Sequence, residues 1–263
     1  MTFLEWLTSS YPNPSIHGQW GLLHILTLAT CIIIIVAFTF LFRSKSVKIK
    51  KIVLWCFVAI LILFEVTRRV INFSKTTDFS FQNVLYILLP RPWCAISVFL
   101  LFVSMCANKR FMYNFVSITG LVCAIAFFAY PGVGFNNQYI LFENLYSIAT
   151  HCLILICTIL MITLGFTKFE FKTMYKELVV LACVLVYAIF EIYVLKIEKD
   201  PMYFMPGNDI IKILGLPYPV FLILYILVFA LYFVSFYAVS EVNRKKKDKD
   251  NFNQIINIIK KDI

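Results

Sequence analysis

Two residues whose types can perform nucleophilic catalysis, Cys94 and His151, lie within apolar segments of the sequence. A thiol becomes a strong nucleophile when a positioned imidazole takes its proton. The rise of an α-helix places both side chains about 10–16 Å below the same surface of a membrane. The spacing therefore predicts that they face each other as nucleophile and base. Because all eight cysteines lie in apolar segments, residue types alone favour a packing role for Cys94.

Further ionisable residues within the apolar segments gather toward the same surface. Such groups are costly inside a membrane, so each is a candidate for function. The predicted substrate-binding residues are Arg91, Arg68, Glu65, His24 and Glu191. We expect them to line an outward-facing polar cavity, and we expect the opposite half of the bilayer to be almost purely apolar. Arginine suits a phosphate headgroup, although Arg68 also lies near enough to the surface for its guanidinium to reach water.

The elements that must position these residues are membrane-spanning helices. The chain is 61% hydrophobic and 14% charged, with a mean hydropathy of +0.85, which excludes a water-soluble globular protein. An apolar segment of about 20 residues crosses a membrane as a helix. The sequence predicts an all-α membrane helix bundle with seven spans, at residues 21–42, 52–71, 84–107, 115–130, 140–166, 176–197 and 216–240. A bundle of six spans, which merges or omits the fourth, is the alternative.

The third predicted span is interrupted by Pro90, Arg91 and Pro92, just before Cys94. Proline lacks a backbone N–H group and breaks a helix. The break frees backbone groups that can line a site inside a membrane protein. We therefore expect backbone N–H groups near Cys94 to be available for stabilising an oxyanion.

The distribution of basic residues predicts the orientation of the bundle. Seventeen of the 24 Lys and Arg residues fall on one side, in the loops after the first, third and fifth spans and in the tail. Such residues favour the cytoplasmic side, which predicts an extracellular interfacial segment at 1–20, a membrane domain at 21–240 and a basic cytoplasmic tail at 241–263. The tail either binds anionic lipid headgroups or is simply solvated. Nucleic acid is not an expected partner. Composition rich in Lys, Ile, Asn and Phe indicates a bacterial genome and hence a multi-pass plasma-membrane protein.

Short motifs along the chain resemble those of the YwaF-like integral membrane family, which includes an animal ether-phospholipid acyltransferase, transmembrane protein 164. Residues 89–94, L-P-R-P-W-C, resemble the family's L-P-L-H-x-C segment, with Pro92 in place of its His. His24, Glu65 and His151 are similar to polar residues on the family's first, second and fifth spans. Residues 214–219, L-G-L-P-Y-P, are similar to its L-G-x-W-P segment. The resemblance covers most of residues 20–240.

The resemblance implies a cysteine-dependent phospholipid acyltransferase, with Cys94 as nucleophile and His151 as its base. Such an enzyme moves a fatty acyl chain between a phospholipid and a lysophospholipid, so both lipids are expected substrates and no cofactor is expected. No metal site is expected either, because the three His residues are isolated in the sequence. The alternative is a non-enzymatic transporter of small molecules or lipids, or a seven-helix receptor. In that case Cys94 packs and the charged residues bind the ligand.

Overall fold

The structure is a computed structural model that describes residue 6 and residues 20–91, 93–129, 134–135, 141–196 and 209–259. Within these ranges, the side chains of residues 209–210, 213 and 247–259 are left undescribed. The predictions for the interfacial segment 1–20 and for Pro92 therefore lie outside the described residues, apart from Trp6 and Trp20.

The described residues form helices and no strand. Each helix is named here in chain order, and α7 includes a short 3₁₀ turn at its start and a π-helical turn at its end. The helices are α1 (Leu22–Phe42), α2 (Val47–Lys75), α3 (Phe81–Leu88), α4 (Trp93–Ala107), α5 (Arg110–Ala129), α6 (Phe142–Thr163), α7 (Phe171–Val194), α8 (Asp209–Leu214) and α9 (Tyr218–Ile259).

Most of these helices can cross a membrane. Helices α1, α5, α6, α7 and α9 are long and apolar enough, and the bent pair α3 and α4 gives a sixth span if it counts as one. Helix α2 has 29 residues but includes charged residues within its length. The chain is therefore a multi-pass helical membrane protein. The fourth predicted span is present and begins earlier than expected, because α5 starts at Arg110.

Helix α6 is the central element of the bundle. It packs against α1, α2, α4 and α5, and most extensively against α5. Gly120 allows this close approach, because a Cβ atom at that position would lie 2.6 Å from Thr158 Cγ2. Small residues commonly allow membrane helices to approach each other in this way. Helix α6 is thus placed to connect side chains from four other helices.

The predicted break in the third span is present. Helix α3 ends at Leu88, α4 begins at Trp93, and the two helices are bent by 61°. Pro90 and Arg91 lie in the non-helical segment between them. The break places Cys94 at the N-terminal end of α4.

Helix α9 continues past the predicted end of the last span. It runs from Tyr218 to Ile259, whereas the apolar segment ends near residue 240. Residues 241–250 contain no Gly or Pro and are rich in residues that favour helix. The Arg244–Glu241 pair, with an N–O distance of 2.6 Å, adds a stabilising contact one turn apart. The basic tail therefore begins as an extension of a membrane helix.

A buried polar cluster lies at the end of the bundle that has most of the basic residues. Glu177 of α7 is fully buried, and its Oε1 accepts a hydrogen bond from Asn114 Nδ2 at 2.8 Å. The Asn114 amide also bonds the Lys168 backbone, donating to its carbonyl and accepting from its N–H, both at 2.9 Å. Tyr237 of α9 is fully buried beside Glu177. The prediction of an almost purely apolar half misses this cluster, which is tolerated because Asn114 supplies hydrogen bonds to the buried carboxyl group.

The loop between α6 and α7 is also charged at this end. Lys168 Nζ forms an ion pair with Glu170 Oε1. The hydrogen bond from Lys168 lowers the pKa of the Glu170 carboxyl group, and Arg244 and Arg110 lower it further. Glu170 in the loop therefore interacts electrostatically with Arg110 of α5 and Arg244 of α9.

Replacing Asn114 by alanine is expected to destabilise the protein by about 1–3 kcal/mol, because it removes the Asn114 hydrogen bonds to the buried Glu177 carboxyl group and to the part-buried Lys168 backbone. The free energy of unfolding, measured by titration with a denaturing detergent, tests this. Asn83→Ala is the matched control, because the Asn83 amide bonds only the exposed turn at Asp78 among the described contacts. Equal stability of the two variants would contradict the structural role of Asn114.

Candidate active site

A network of charged side chains centres on Glu65 of α2, which is buried. Glu65 Oε1 accepts hydrogen bonds from Arg68 Nη2 at 2.9 Å and from Arg69 Nη2 at 2.5 Å. The other carboxylate oxygen lies 3.4 Å from Arg68 Nε and accepts a hydrogen bond from the Tyr146 hydroxyl group. The three charged residues lie on one face of α2 because they are three and four residues apart. Tyr146 belongs to α6, so the network joins these two helices.

Arg69 extends the network to the break between α3 and α4. Its Nη1 donates to the carbonyl groups of Ile87 at 2.6 Å and Leu89 at 3.2 Å, and also to that of Leu88. The last carbonyl groups of a helix have no partners within the helix. Inside a membrane, water does not supply them either. Arg69 therefore fixes the end of α3 against α2.

Cys94, the predicted nucleophile, is the second residue of α4 and is partly buried. Its thiol lies beside the backbone N–H groups of Cys94 and Ala95 and interacts electrostatically with Arg68 and Glu65. Burial and the Glu65 carboxylate disfavour a thiolate at this position, whereas Arg68 and the N–H groups at the start of the helix favour it. Cys94 thus lies next to the Glu65 network rather than in a purely apolar environment.

His151, the predicted base, is buried in α6. Its ring stacks on Phe127 of α5, with 3.8 Å between the ring centres and an angle of 6° between the planes. His151 Nδ1 lies 2.7 Å from the Ser147 carbonyl oxygen. This contact assigns the proton of the neutral ring to Nδ1, which leaves Nε2 as the basic nitrogen.

Helix α5 has a residue near each of the two predicted catalytic residues. Among the described residues no hydrogen bond joins the Cys94 thiol to the His151 ring. The Cys94 thiol does neighbour Cys123 of α5, and Phe127, which stacks on His151, lies one helical turn beyond Cys123 on the same face. Catalytic hydrogen bonds are often longer in the absence of substrate, so the roles of Cys94 and His151 stay predictions.

Arg91 and Glu191 form a second charged group near the break. The Arg91 guanidinium lies 3.5 Å from the centre of the Tyr86 ring, and its Nη2 donates to the Tyr86 carbonyl at 3.1 Å. Glu191 is fully buried in the π-helical turn of α7, and its Oε1 accepts from the Tyr187 hydroxyl at 2.8 Å. Arg91 interacts electrostatically with both Glu191 and Tyr187. The last turn of α7 therefore faces the break.

His24, the remaining predicted site residue, packs among aromatic rings. Its ring centre lies 4.8 Å from those of Trp20 and Phe135 and 5.9 Å from that of Phe128. It is buried, and it interacts with the backbone of Phe128. Phe127, against which His151 stacks, contacts Phe128 and Phe135. His24 therefore belongs with His151 to an aromatic cluster rather than to the Glu65 network.

The site residues predicted from the sequence include neither Tyr146 nor Arg69. The spacing of Glu65, Arg68 and Arg69 on one helix face was a usable signal for the ion pairs. Nothing distinguishes Tyr146 in the sequence from the other tyrosines, of which the chain has 14 in all. The capping role of Arg69 depends on how α2 packs against the broken helix, which a sequence pattern does not reveal.

These features define a class of protein: a multi-pass helical membrane protein with a buried charged network beside a cysteine at a helix break. A family model, described as the TMEM164 family, matches residues 19–237, so the chain belongs to the TMEM164 family. The match confirms the resemblance to the family of transmembrane protein 164. No curated protein and no solved structure matches the chain significantly. The matched region contains the Glu65 network, Cys94 and His151.

Proposed function

We propose that the protein is an integral membrane acyltransferase that moves a fatty acyl chain from a phospholipid to a lysophospholipid through a thioester on Cys94. The observation on which the proposal depends is the position of Cys94 at the start of α4, within electrostatic range of Arg68 and Glu65. Membership of the TMEM164 family supports it, because the sequence resembles an ether-phospholipid acyltransferase of that family. Cys94 and His151 are the proposed nucleophile and base.

The proposed reaction has two halves. His151 Nε2 takes the thiol proton, and the Cys94 thiolate attacks the ester carbonyl carbon of a phospholipid. The ester C–O bond breaks, the departing lysophospholipid oxygen receives the proton from His151, and the acyl chain stays on Cys94 as a thioester. A second lysophospholipid hydroxyl then gives its proton to His151 and attacks the thioester, and His151 returns the proton to the thiolate.

The surroundings of Cys94 suit the proposed reaction. The Cys94 and Ala95 N–H groups at the start of α4 are proposed to stabilise the oxyanion of the tetrahedral intermediate. Arg91, next to the break, and Arg68 are proposed to bind the lipid phosphate. The Arg68 side chain retains 23% exposure, so part of its guanidinium remains accessible to a ligand. Glu65, His24 and Glu191 are proposed to complete the polar lining.

We also propose that α2 crosses the membrane, which gives seven spans when α3 and α4 count as one. The basic ends of the helices then face the cytoplasm, and the site faces outward. The basic extension of α9 is proposed to bind anionic lipid headgroups of a plasma membrane.

The proposal is tested with purified protein in phospholipid vesicles that contain isotopically labelled lysophospholipid. We expect labelled diacyl phospholipid to form, as measured by mass spectrometry, and we expect pretreatment with N-ethylmaleimide to stop its formation. Empty vesicles are the control. Absence of labelled product, together with protein-dependent flux of lysophospholipid across the membrane, would overturn the proposal in favour of a transporter.

A further inference from the structure

The polypeptide between Leu88 and Trp93 determines where the Cys94 thiol lies. Helix α3 has eight residues and α4 has 15, and the bend between them is 61°. The Leu85 and Tyr86 carbonyl groups accept from the Leu89 N–H and from Arg91 Nη2. The last carbonyl groups of a helix have no partner within it, and Pro90 donates no backbone hydrogen bond. The end of α3 therefore needs partners from a neighbouring helix.

Arg69 supplies the missing partners from a neighbouring helix. One of its terminal nitrogens, Nη1, contacts three successive carbonyl groups at residues 87–89, two of them at 2.6 and 3.2 Å. Its other terminal nitrogen, Nη2, bonds Glu65 Oε1 at 2.5 Å. The Arg69 side chain is 17% exposed, so it lies largely within the protein. A positive charge also interacts favourably with the C-terminal end of a helix.

The same carboxylate connects Arg69 to the rest of the site. Glu65 binds Arg68, which interacts with the Cys94 thiol, and binds Tyr146, which lies on the same helix as His151. Leu89, held by Arg69, is five residues before Cys94. The position of Arg69 therefore affects the position of Cys94 relative to both Arg68 and α6.

We propose that Arg69 is a positioning residue, which holds the helix break so that the Cys94 thiol stays beside the N–H groups of α4 and within electrostatic range of Arg68. It acts through the backbone of residues 87–89 and has no contact with substrate. Lysine is a poor replacement, because a single ammonium group does not reproduce the planar fork that reaches carbonyl groups on one side and a carboxylate on the other. The inference rests on the proposed function for its catalytic consequence, but the geometry that it describes is independent of acyl transfer.

The experiment measures how fast Cys94 reacts with a small membrane-permeant alkylating reagent as a function of pH, using peptide mass spectrometry on the full-length protein in lipid. Exposed Cys183 of α7 is read in the same sample as an internal reference. We expect Arg69→Lys to slow alkylation of Cys94 by about tenfold relative to Cys183, and to move the pH midpoint of the Cys94 reaction upward, because misplacing the thiol weakens its electrostatic interaction with Arg68. Arg244 is an exposed arginine at the other end of the bundle. Arg244→Lys is therefore the matched control and is expected to leave the alkylation rate and pH midpoint of Cys94 unchanged.

The outcomes separate this inference from the proposed function. An unchanged rate and pH midpoint for Cys94 in folded Arg69→Lys protein would overturn the positioning role, whether or not acyl transfer occurs. If Arg69→Lys does not fold, Arg69→Gln, which retains an amide donor, takes its place with the same expected slowing. Slower alkylation of Cys94 in either variant, together with no acyl exchange by the unmodified protein, would support the positioning role and contradict the proposed acyltransferase activity.

Discussion

Replacing Cys94 by alanine is expected to abolish acyl exchange in lipid vesicles, with a loss of at least about 10³-fold, the scale on which removal of a nucleophile acts. The reason is that no thioester forms without the sulfur atom. Among the cysteines in the described residues, only Cys94 lies at the start of a helix and interacts electrostatically with an arginine. The measurement is the rate of labelled phospholipid formation per molecule of folded protein.

Cys123→Ala is the matched control for this variant. Cys123 is buried on α5 and interacts electrostatically with Cys94. Its replacement by alanine removes a sulfur atom, as Cys94→Ala does. We expect Cys123→Ala to lose stability through the cavity it leaves while it retains acyl exchange within a few-fold of the original rate. Folded Cys94→Ala protein with more than a tenth of the original activity would refute the role of Cys94 as nucleophile.

Replacing Glu65 by glutamine is expected to produce the largest loss of stability of any single polar change at the site. It leaves two arginines without their carboxylate and puts an amide nitrogen, which cannot accept, in place of one of the two oxygen atoms that accept from the arginines and the Tyr146 hydroxyl group. Removal of one partner from a buried ion pair costs about 3–5 kcal/mol. We expect about 3 kcal/mol here, because both arginine side chains are partly exposed and water screens part of the lost interaction.

The same change is expected to lower acyl exchange, because Arg68 and Arg69 lose the group that orients them beside Cys94 and the helix break. Glu143→Gln is the control: Glu143 is an exposed carboxyl group near the start of α6, and its replacement is expected to change stability by less than about 0.5 kcal/mol. Detergent titration of the unfolding transition measures both variants. Equal unfolding midpoints would contradict the central place of Glu65 in the network.

Much of the fold follows from the sequence because a membrane constrains the chain strongly. An apolar segment inside a bilayer must pair its own backbone groups, so it forms a helix. The predicted segments at 21–42 and 140–166 correspond to α1 and α6 within a few residues. The break before Cys94 was also predictable, because Pro90 is incompatible with an uninterrupted helix.

The features that the sequence did not predict depend on how far a helix continues and on how the helices pack. The extension of α9 beyond residue 240 arises because a basic segment free of Gly and Pro continues a helix that has already begun. The partner of Glu177 is Asn114, 63 residues away on another helix. Likewise, depth and the family resemblance placed His24 with the substrate-binding residues, whereas its neighbours include rings from α5 and the segment that follows it. Depth along a helix defines a level in the membrane but leaves the direction of the side chain open.

Mass spectrometry of the protein after incubation with phospholipid tests whether Cys94 forms an acyl-enzyme. We expect an acyl group on the peptide that contains Cys94, which hydroxylamine removes because it is a thioester. The adduct is expected to be absent from Cys94→Ala and to form much more slowly in His151→Ala, by about 10²-fold or more, because a general base contributes on that scale. An intact, folded protein that exchanges acyl chains without an adduct on Cys94, or an adduct that resists hydroxylamine, would contradict a thioester on Cys94.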